Sequence, residues 1–247
     1  MLEDDERILD LLAYWQRISE EEKQEDIKDP SQLNRLVFKT VLYIDPAPDD
    51  IYAHREQYFQ ATYDIVIGRY PCSEESIIEL AALQQQVDFG DERPELDPSQ
   101  WARYIPKRLL MEGPAQVTKL SEKIQEARDK HKGKTVSQAI FEYLQTVKDW
   151  KIYGSSFFSV IPQNVPDLPS PAFLAINPKA IVFLNPENRE IVKEYPYSVV
   201  PTWGHSGTSF VLHVGDLVNQ DKLYFTTDQG KDINDLIHNY VKHLCAI

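Results

Sequence analysis

Cysteine is scarce in this sequence. Cys72 and Cys245 are the only two, far apart and outside any disulfide or zinc spacing, so a bridged extracellular scaffold is not expected and a reducing cytosol is the default compartment. Long apolar runs are missing too: none approaches the ~20 residues that cross a bilayer. The first six residues, Met1 to Glu6, are acidic where a secretory leader is basic, so the chain reads as soluble and untargeted. Positive charge is in deficit, with 26 Lys and Arg against 39 Asp and Glu and a net charge of −13. That balance argues against a general affinity for nucleic acid or anionic lipid, both of which attract cations. There is no internal repeat and no low-complexity tract.

Catalytic signals are equally thin. Gly133-Lys134-Thr135 has the ending of a phosphate-binding loop, but Arg128 stands where that motif needs glycine and no strand precedes it. Gly204-His205-Ser206-Gly207 is one residue short of a nucleophile elbow. His238 and His243 are five apart, about 140° around a helix at ~100° per residue, and cannot share a metal as an i, i+4 pair does. No enzyme, metal site or cofactor is expected.

What is present is a change of period at about Tyr153. Upstream, Val136, Ala139, Ile140, Tyr143, Leu144 and Val147 recur as one apolar helix face, opened by a capping box in Thr135 and Gln138. Earlier helices are marked by an acidic cap ahead of Tyr52, Phe59, Tyr63, Val66 and Ile67 on one face, and by Ser73-Glu74-Glu75 ahead of Ile77, Leu80, Ala81 and Val87. A short helix and turn around Pro106 and a helix carrying Val117, Leu120, Ile124 and Ala127 complete a bundle of four to five helices. An amphipathic segment over 8–18 stands apart, and 33–44 is ambiguous by period. Downstream, turns at Asn177-Pro178, Asn185-Pro186, 204–207 and 219–221 are spaced for about seven antiparallel strands, with Phe210, Leu212 and Val214 alternating. Thr226 and Gln229 read as a capping box for a last helix bearing Ile233, Leu236, Ile237, Tyr240, Val241 and Leu244. The fold class is therefore α+β, a helical bundle followed by a PH/PTB-like antiparallel β-sandwich capped by a C-terminal helix.

Several stretches carry a family likeness. Leu80-Ala81-Ala82-Leu83 with Val87, Phe89 and Gly90, then Tyr104-Ile105-Pro106, Trp150 with Tyr153-Gly154-Ser155-Ser156-Phe157-Phe158, Leu174-Ala175-Ile176-Asn177, and Tyr195-Pro196-Tyr197 leading to Trp203 together resemble the second and third lobes of a FERM domain. The nearest likeness is to MyTH4-FERM myosin tails of class VII. The resemblance implies an acyl-CoA-binding-like second lobe over 31–150 and a PH/PTB-like third lobe over 151–247, with 1–30, including Leu9 to Trp15, as the end of the first lobe or a linker. It also implies a non-catalytic cargo-binding and regulatory module in the cytoplasm, at the cytoskeleton or membrane-associated cortex. Partners would be cytoplasmic tails of adhesion receptors, cytoskeletal adaptors and the protein's own motor head. The alternative is a membrane-cytoskeleton linker that binds phosphoinositide directly.

Three candidate sites follow. An extended peptide adds to a sheet edge because the edge offers unpaired N–H and C=O groups. Such a groove between a strand over 198–203 and the last helix would use Val199, Val200, Thr202 and Trp203, with Asn234, Ile237 and Val241 as its wall. The second is a basic stretch over 101–134, nine cations against four acids, with Lys119, Lys123, Arg128, Lys130, Lys132 and Lys134 as a patch for phosphoinositide or an acidic tail. Third, class VII tails resemble one another in a basic pair at a late turn that docks on the motor head; here Asn219-Gln220-Asp221-Lys222 keeps only Lys222.

Overall fold

Asp50 opens the first helix by accepting from the Ala53 N–H, and the computed structural model, which describes residues 39–216 and 218–246, places α1 at Ile51–Val66. Ser73 caps α2 (Glu74–Phe89) in the same way, with Glu74 and Glu75 in the first turn. Pro106 precedes the one-turn α3 (Lys107–Leu110), α4 spans Pro114–Ala127, and the capping box of Thr135 and Gln138 starts α5 (Val136–Lys148). Two 3-10 turns, Gln100–Arg103 and Arg128–His131, bridge these helices. The segment over 8–18, Leu9 to Trp15, and the first half of 33–44 (33–38) lie outside the described residues.

Helix α1 corrects the sequence expectation. Tyr52, Phe59, Tyr63 and Ile67 do share a side, but it faces outward, each at least half exposed. Its buried face is Gln57, Tyr58, Ala61, Asp64 and Ile65. The polar members are tolerated there because Gln57 Nε2 donates to the Ile44 carbonyl at 2.9 Å and Asp64 meets Arg69 at 3.8 Å. Helix α2 does likewise: Gln84 and Gln86 are buried, donating to the carbonyls of Arg103 (3.0 Å) and Lys134 (3.1 Å).

Beyond Gly154 the chain forms β1 (Ser156–Gln163), β2 (Ala172–Ile176), β3 (Ala180–Leu184), β4 (Ile191–Pro196), β5 (Thr202–His205), β6 (Ser209–Gly215) and β7 (Gln220–Thr226), then α6 (Gly230–Leu244). All neighbours pair antiparallel in the order β4-β3-β2-β1-β7-β6-β5. Strand β1 turns the corner: Ser156 to Val160 pair with β2 and its last three residues with β7, so one sheet folds into two faces. Helix α6 closes the open side with Ile233, Leu236, Ile237 and Tyr240. Its start differs from the expected capping box. Thr226 ends β7, the helix begins after Gln229, and the Gln229 N–H donates to Thr227 Oγ1 instead.

Strand β3, Ala-Ile-Val-Phe-Leu, is buried at every position because it has a core on both sides. Ile181 and Phe183 point into the sandwich, where Phe183 stacks on Phe225; Ala180, Val182 and Leu184 join Ala175 against Tyr43, Tyr58, Leu144 and Val147 of the helical side. Lone buried backbone groups at this seam are satisfied by tyrosines: Tyr43 N–H donates to Tyr240 Oη (3.0 Å) and Gly154 N–H to Tyr70 Oη (3.2 Å). Gly154 is needed here. Its φ is +71° and a Cβ would lie 2.9 Å from Tyr43 Cγ. Residues from Thr40 onward thus form one compact unit. Among the described residues no helix is long and apolar enough to cross a membrane.

Candidate peptide-binding groove

The strand beside the last helix is shorter and later than expected. Tyr197–Val199 is a 3-10 turn, Pro201 interrupts pairing, and β5 occupies Thr202–His205 at one end of the sheet. Its hairpin to β6 has the two-residue loop Gly207-Thr208, closed by Ser206 N–H donating to Ser209 O at 2.8 Å. That closure fixes the parity of the ladder, because hydrogen-bonded and non-hydrogen-bonded pairs alternate. Gly204 opposite Val211 and Thr202 opposite His213 therefore turn their backbone groups to β6, whereas Trp203 opposite Leu212 and His205 opposite Phe210 turn theirs outward. Among the described residues no strand pairs with this edge of β5, which offers two N–H donors and two acceptors, and Pro201, which has no N–H, limits its length.

Helix α6 lies along this edge because Gly230 allows it. A Cβ there would meet Ser209 O at 3.0 Å and His205 Cβ at 3.1 Å, so the first turn presses on the β5–β6 hairpin. Of the side chains proposed for the groove, Val199 and Thr202 are exposed, Trp203 is half-buried against the sandwich core, and Asn234 and Val241 are partly open. Val200 and Ile237 are core residues, 5% and 0% exposed, and offer a ligand no surface. Sequence reasoning overlooked the backbone of His205 and the part played by Gly230. The Ser-Gly-Thr-Ser turn carried the parity signal, since a two-residue loop dictates which residues face out.

The basic stretch is not a free cationic face. Lys119 and Lys123 both reach Glu74, at 3.8 and 2.8 Å, Lys130 lies 3.6 Å from Glu79, and Lys134 is paired with Glu142. Arg128 is buried at 3% exposure, its Nη2 donating to the carbonyls of Gly90 (2.9 Å) and Glu92 (2.6 Å). Only Lys132 of the six is exposed without an ion pair among the described residues. These acids lie on α2 and α5, too far along the chain for helix-surface pairing to reveal.

One set of ligand-type side chains, Glu79, His131 and Glu142, does converge within 4.8 Å. A cation is already supplied there by Lys134, whose Nζ is 2.9 Å from His131 Nδ1 and paired with Glu142, so the cluster ties α2 to α5. Burial pulls the His131 imidazole below its usual pKa, Lys134 adding to the effect while Glu79 and Glu142 oppose it. Lys222 is an exposed residue inside β7 opposite His213, not part of the turn.

Comparison with known proteins agrees with this architecture. The family description "FERM central domain" matches residues 46–158 and "PTB domain (IRS-1 type)" matches 158–245. Mouse unconventional myosin-VIIb is 31% identical over 193 residues, covering 76% of this chain but 9% of that protein. Drosophila myosin-VIIa is 28% identical over 186 residues, 74% of this chain and 8% of that protein. Among solved structures, the human Myosin 7b C-terminal MyTH4-FERM domain in complex with harmonin-a PDZ3 superposes with TM-score 0.65 at 24% identity, covering 95% of this chain and 47% of that one. The chain thus spans under a tenth of those two myosins and about half of that solved domain.

Proposed function

Because this chain belongs to the FERM family, carrying the central lobe and the PTB-like lobe in tandem, we propose that it is the cargo-binding end of an unconventional myosin-like tail and captures extended polypeptide along β5. The observation that carries the proposal is the outward backbone of Trp203 and His205 on an end strand flanked by α6. A bound segment would pair with those groups as an added strand, while Trp203, Asn234 and Val241 contact alternate side chains. That a human myosin 7b MyTH4-FERM domain has been solved with a harmonin PDZ domain supports adaptor proteins as the partner class. Tails of adhesion receptors fit the same edge, and the proposed place of action is the cytoplasm near cytoskeleton or cortex. The lone Lys222 gives head docking little support, and the pairing of Lys119, Lys123, Lys130 and Lys134 weakens direct phosphoinositide binding by the basic stretch.

Two variants test the groove in a binding assay against fluorescent cytoplasmic-tail peptides and adaptor domains. Trp203→Ala removes a contact surface. His205→Pro removes an N–H that serves no strand among the described residues, so it should spare folding and abolish strand addition. Retention of full affinity by both folded variants would sink the proposal.

A further inference from the structure

We propose that the helical lobe holds a second site, for a small oxyanion of the phosphomonoester or sulfate type, in the cavity lined by Gln86, Asp91, Arg93, Arg128, Asp129 and Lys132. This cavity, of about 110 Å³, lies between the loop after α2 and the turn that joins α4 to α5. At ~10–15 Å³ for each water, it has room for several waters or for one such anion.

The case begins with Arg128. Its side chain is almost wholly buried, yet no carboxylate lies within ion-pair distance of it among the described residues; its partners are the carbonyls of Gly90 and Glu92 and, at 3.4 Å, Gln125 Oε1. The Nε has no hydrogen-bond partner among the described residues. A buried cation hydrogen-bonded only to neutral acceptors is incompletely neutralised, and burial with nearby Arg93 lowers its pKa while Tyr104, Asp91 and Asp129 pull the other way. The two carboxylates in the lining are engaged with groups other than Arg128. Asp129 pairs with Arg93, and Asp91 Oδ1 accepts from Gln86 Nε2 at 3.0 Å and Gly133 N–H at 2.8 Å. Lys132 is exposed at the rim and has no ion pair among the described residues. Three cations thus face two acids, a local positive excess on a chain of net charge −13. An oxyanion would supply an acceptor for Lys132, a further acceptor for Arg93 beside Asp129, and additional negative charge to Arg128. A divalent metal meets the wrong sign. The free oxygens of Asp91 and Asp129 oppose an anion, so the expected affinity is on the order of millimolar rather than micromolar.

Thermal unfolding of the 247-residue chain in sodium phosphate, with ionic strength held constant by sodium chloride, provides the test. Phosphate tenfold above its dissociation constant should raise the midpoint by about 3–6 °C beyond the chloride control. Lys132→Gln and Arg93→Gln should each remove most of that rise, Lys119→Gln, on the same stretch but outside the cavity, should keep it, and Asp129→Asn should enlarge it. No phosphate-specific rise, or equal loss in Lys119→Gln and Lys132→Gln, overturns the site. Its natural source is then separated with two probes. Stabilisation by soluble inositol trisphosphate without recruitment to phosphoinositide-containing phosphatidylcholine vesicles assigns the site to soluble phosphate; recruitment that Lys132→Gln abolishes assigns it to a lipid headgroup.

Discussion

Replacing Gly154 with alanine separates two costs that the seam between helices and sheet imposes. A non-glycine residue at φ +71° loses roughly 1–2 kcal/mol to backbone sterics. The new methyl also lands 2.9 Å from Tyr43 Cγ and 3.1 Å from its Cβ and Cδ1. Tyr43 has nowhere to retreat: it is 5% exposed, packs edge-on against Tyr153 at 5.5 Å and is tied through its N–H to Tyr240. Overpacking of that kind costs about 1–3 kcal/mol, for a total of about 2–5 kcal/mol. Gly133→Ala is the matched control, with φ +80° but nothing within 4 Å of the new methyl, so it should lose only the first part. In urea unfolding followed by circular dichroism, with a slope of about 2–3 kcal/mol/M, Gly154→Ala should lower the midpoint by about 1–2 M and Gly133→Ala by about half a molar. Equal midpoints for the two variants would refute the contact argument.

Other perturbations have distinct outcomes. Tyr240→Phe strips the buried Tyr43 N–H of its acceptor and should cost about 1–3 kcal/mol in the same urea assay. On α1, Ile65→Ala should cost about 2–5 kcal/mol, whereas Tyr63→Ala, at a half-exposed position, should change stability by about 0.5 kcal/mol or less; a reversal would restore the face expected from sequence. His131 has a depressed pKa when folded, so below about 6.5 the unfolded chain takes up a proton that the folded chain refuses. Its contribution is complete above that pH and is lost as pH falls toward the folded value, in a setting shared with Glu79, Glu142, Lys130 and Lys134. Unfolding free energies measured at pH 7.5 and 5.5 should therefore differ less in His131→Asn than in the parent.

Periodicity recovered the elements whose apolar residues face the core. The alternation of Phe210, Leu212 and Val214 and the capping box at Thr135 appear as the sequence implied, and the stripe of α6 does from Ile233 to Tyr240, with Val241 partly open and Leu244 exposed. It failed where burial is achieved by hydrogen bonding. Gln57 and Asp64 sit inside while Tyr52, Phe59 and Tyr63 sit outside, an arrangement that a hydrophobicity pattern reads in reverse. Charge counting along the chain could not see the ion pairs of Glu74 and Glu79 with Lys119, Lys123 and Lys130, which form only through tertiary packing. At the groove, the chemistry resides largely in main-chain atoms, whose direction depends on strand parity and not on residue type.

Strand β3 has consequences for inheritance as well as for stability. With Ala180, Val182 and Leu184 lodged among helical side chains, severing the chain after Lys148 would leave either half with a bald greasy strip inviting clumping. Genetic shuffling across that boundary would succeed only when both pieces travel together or happen to match in relief.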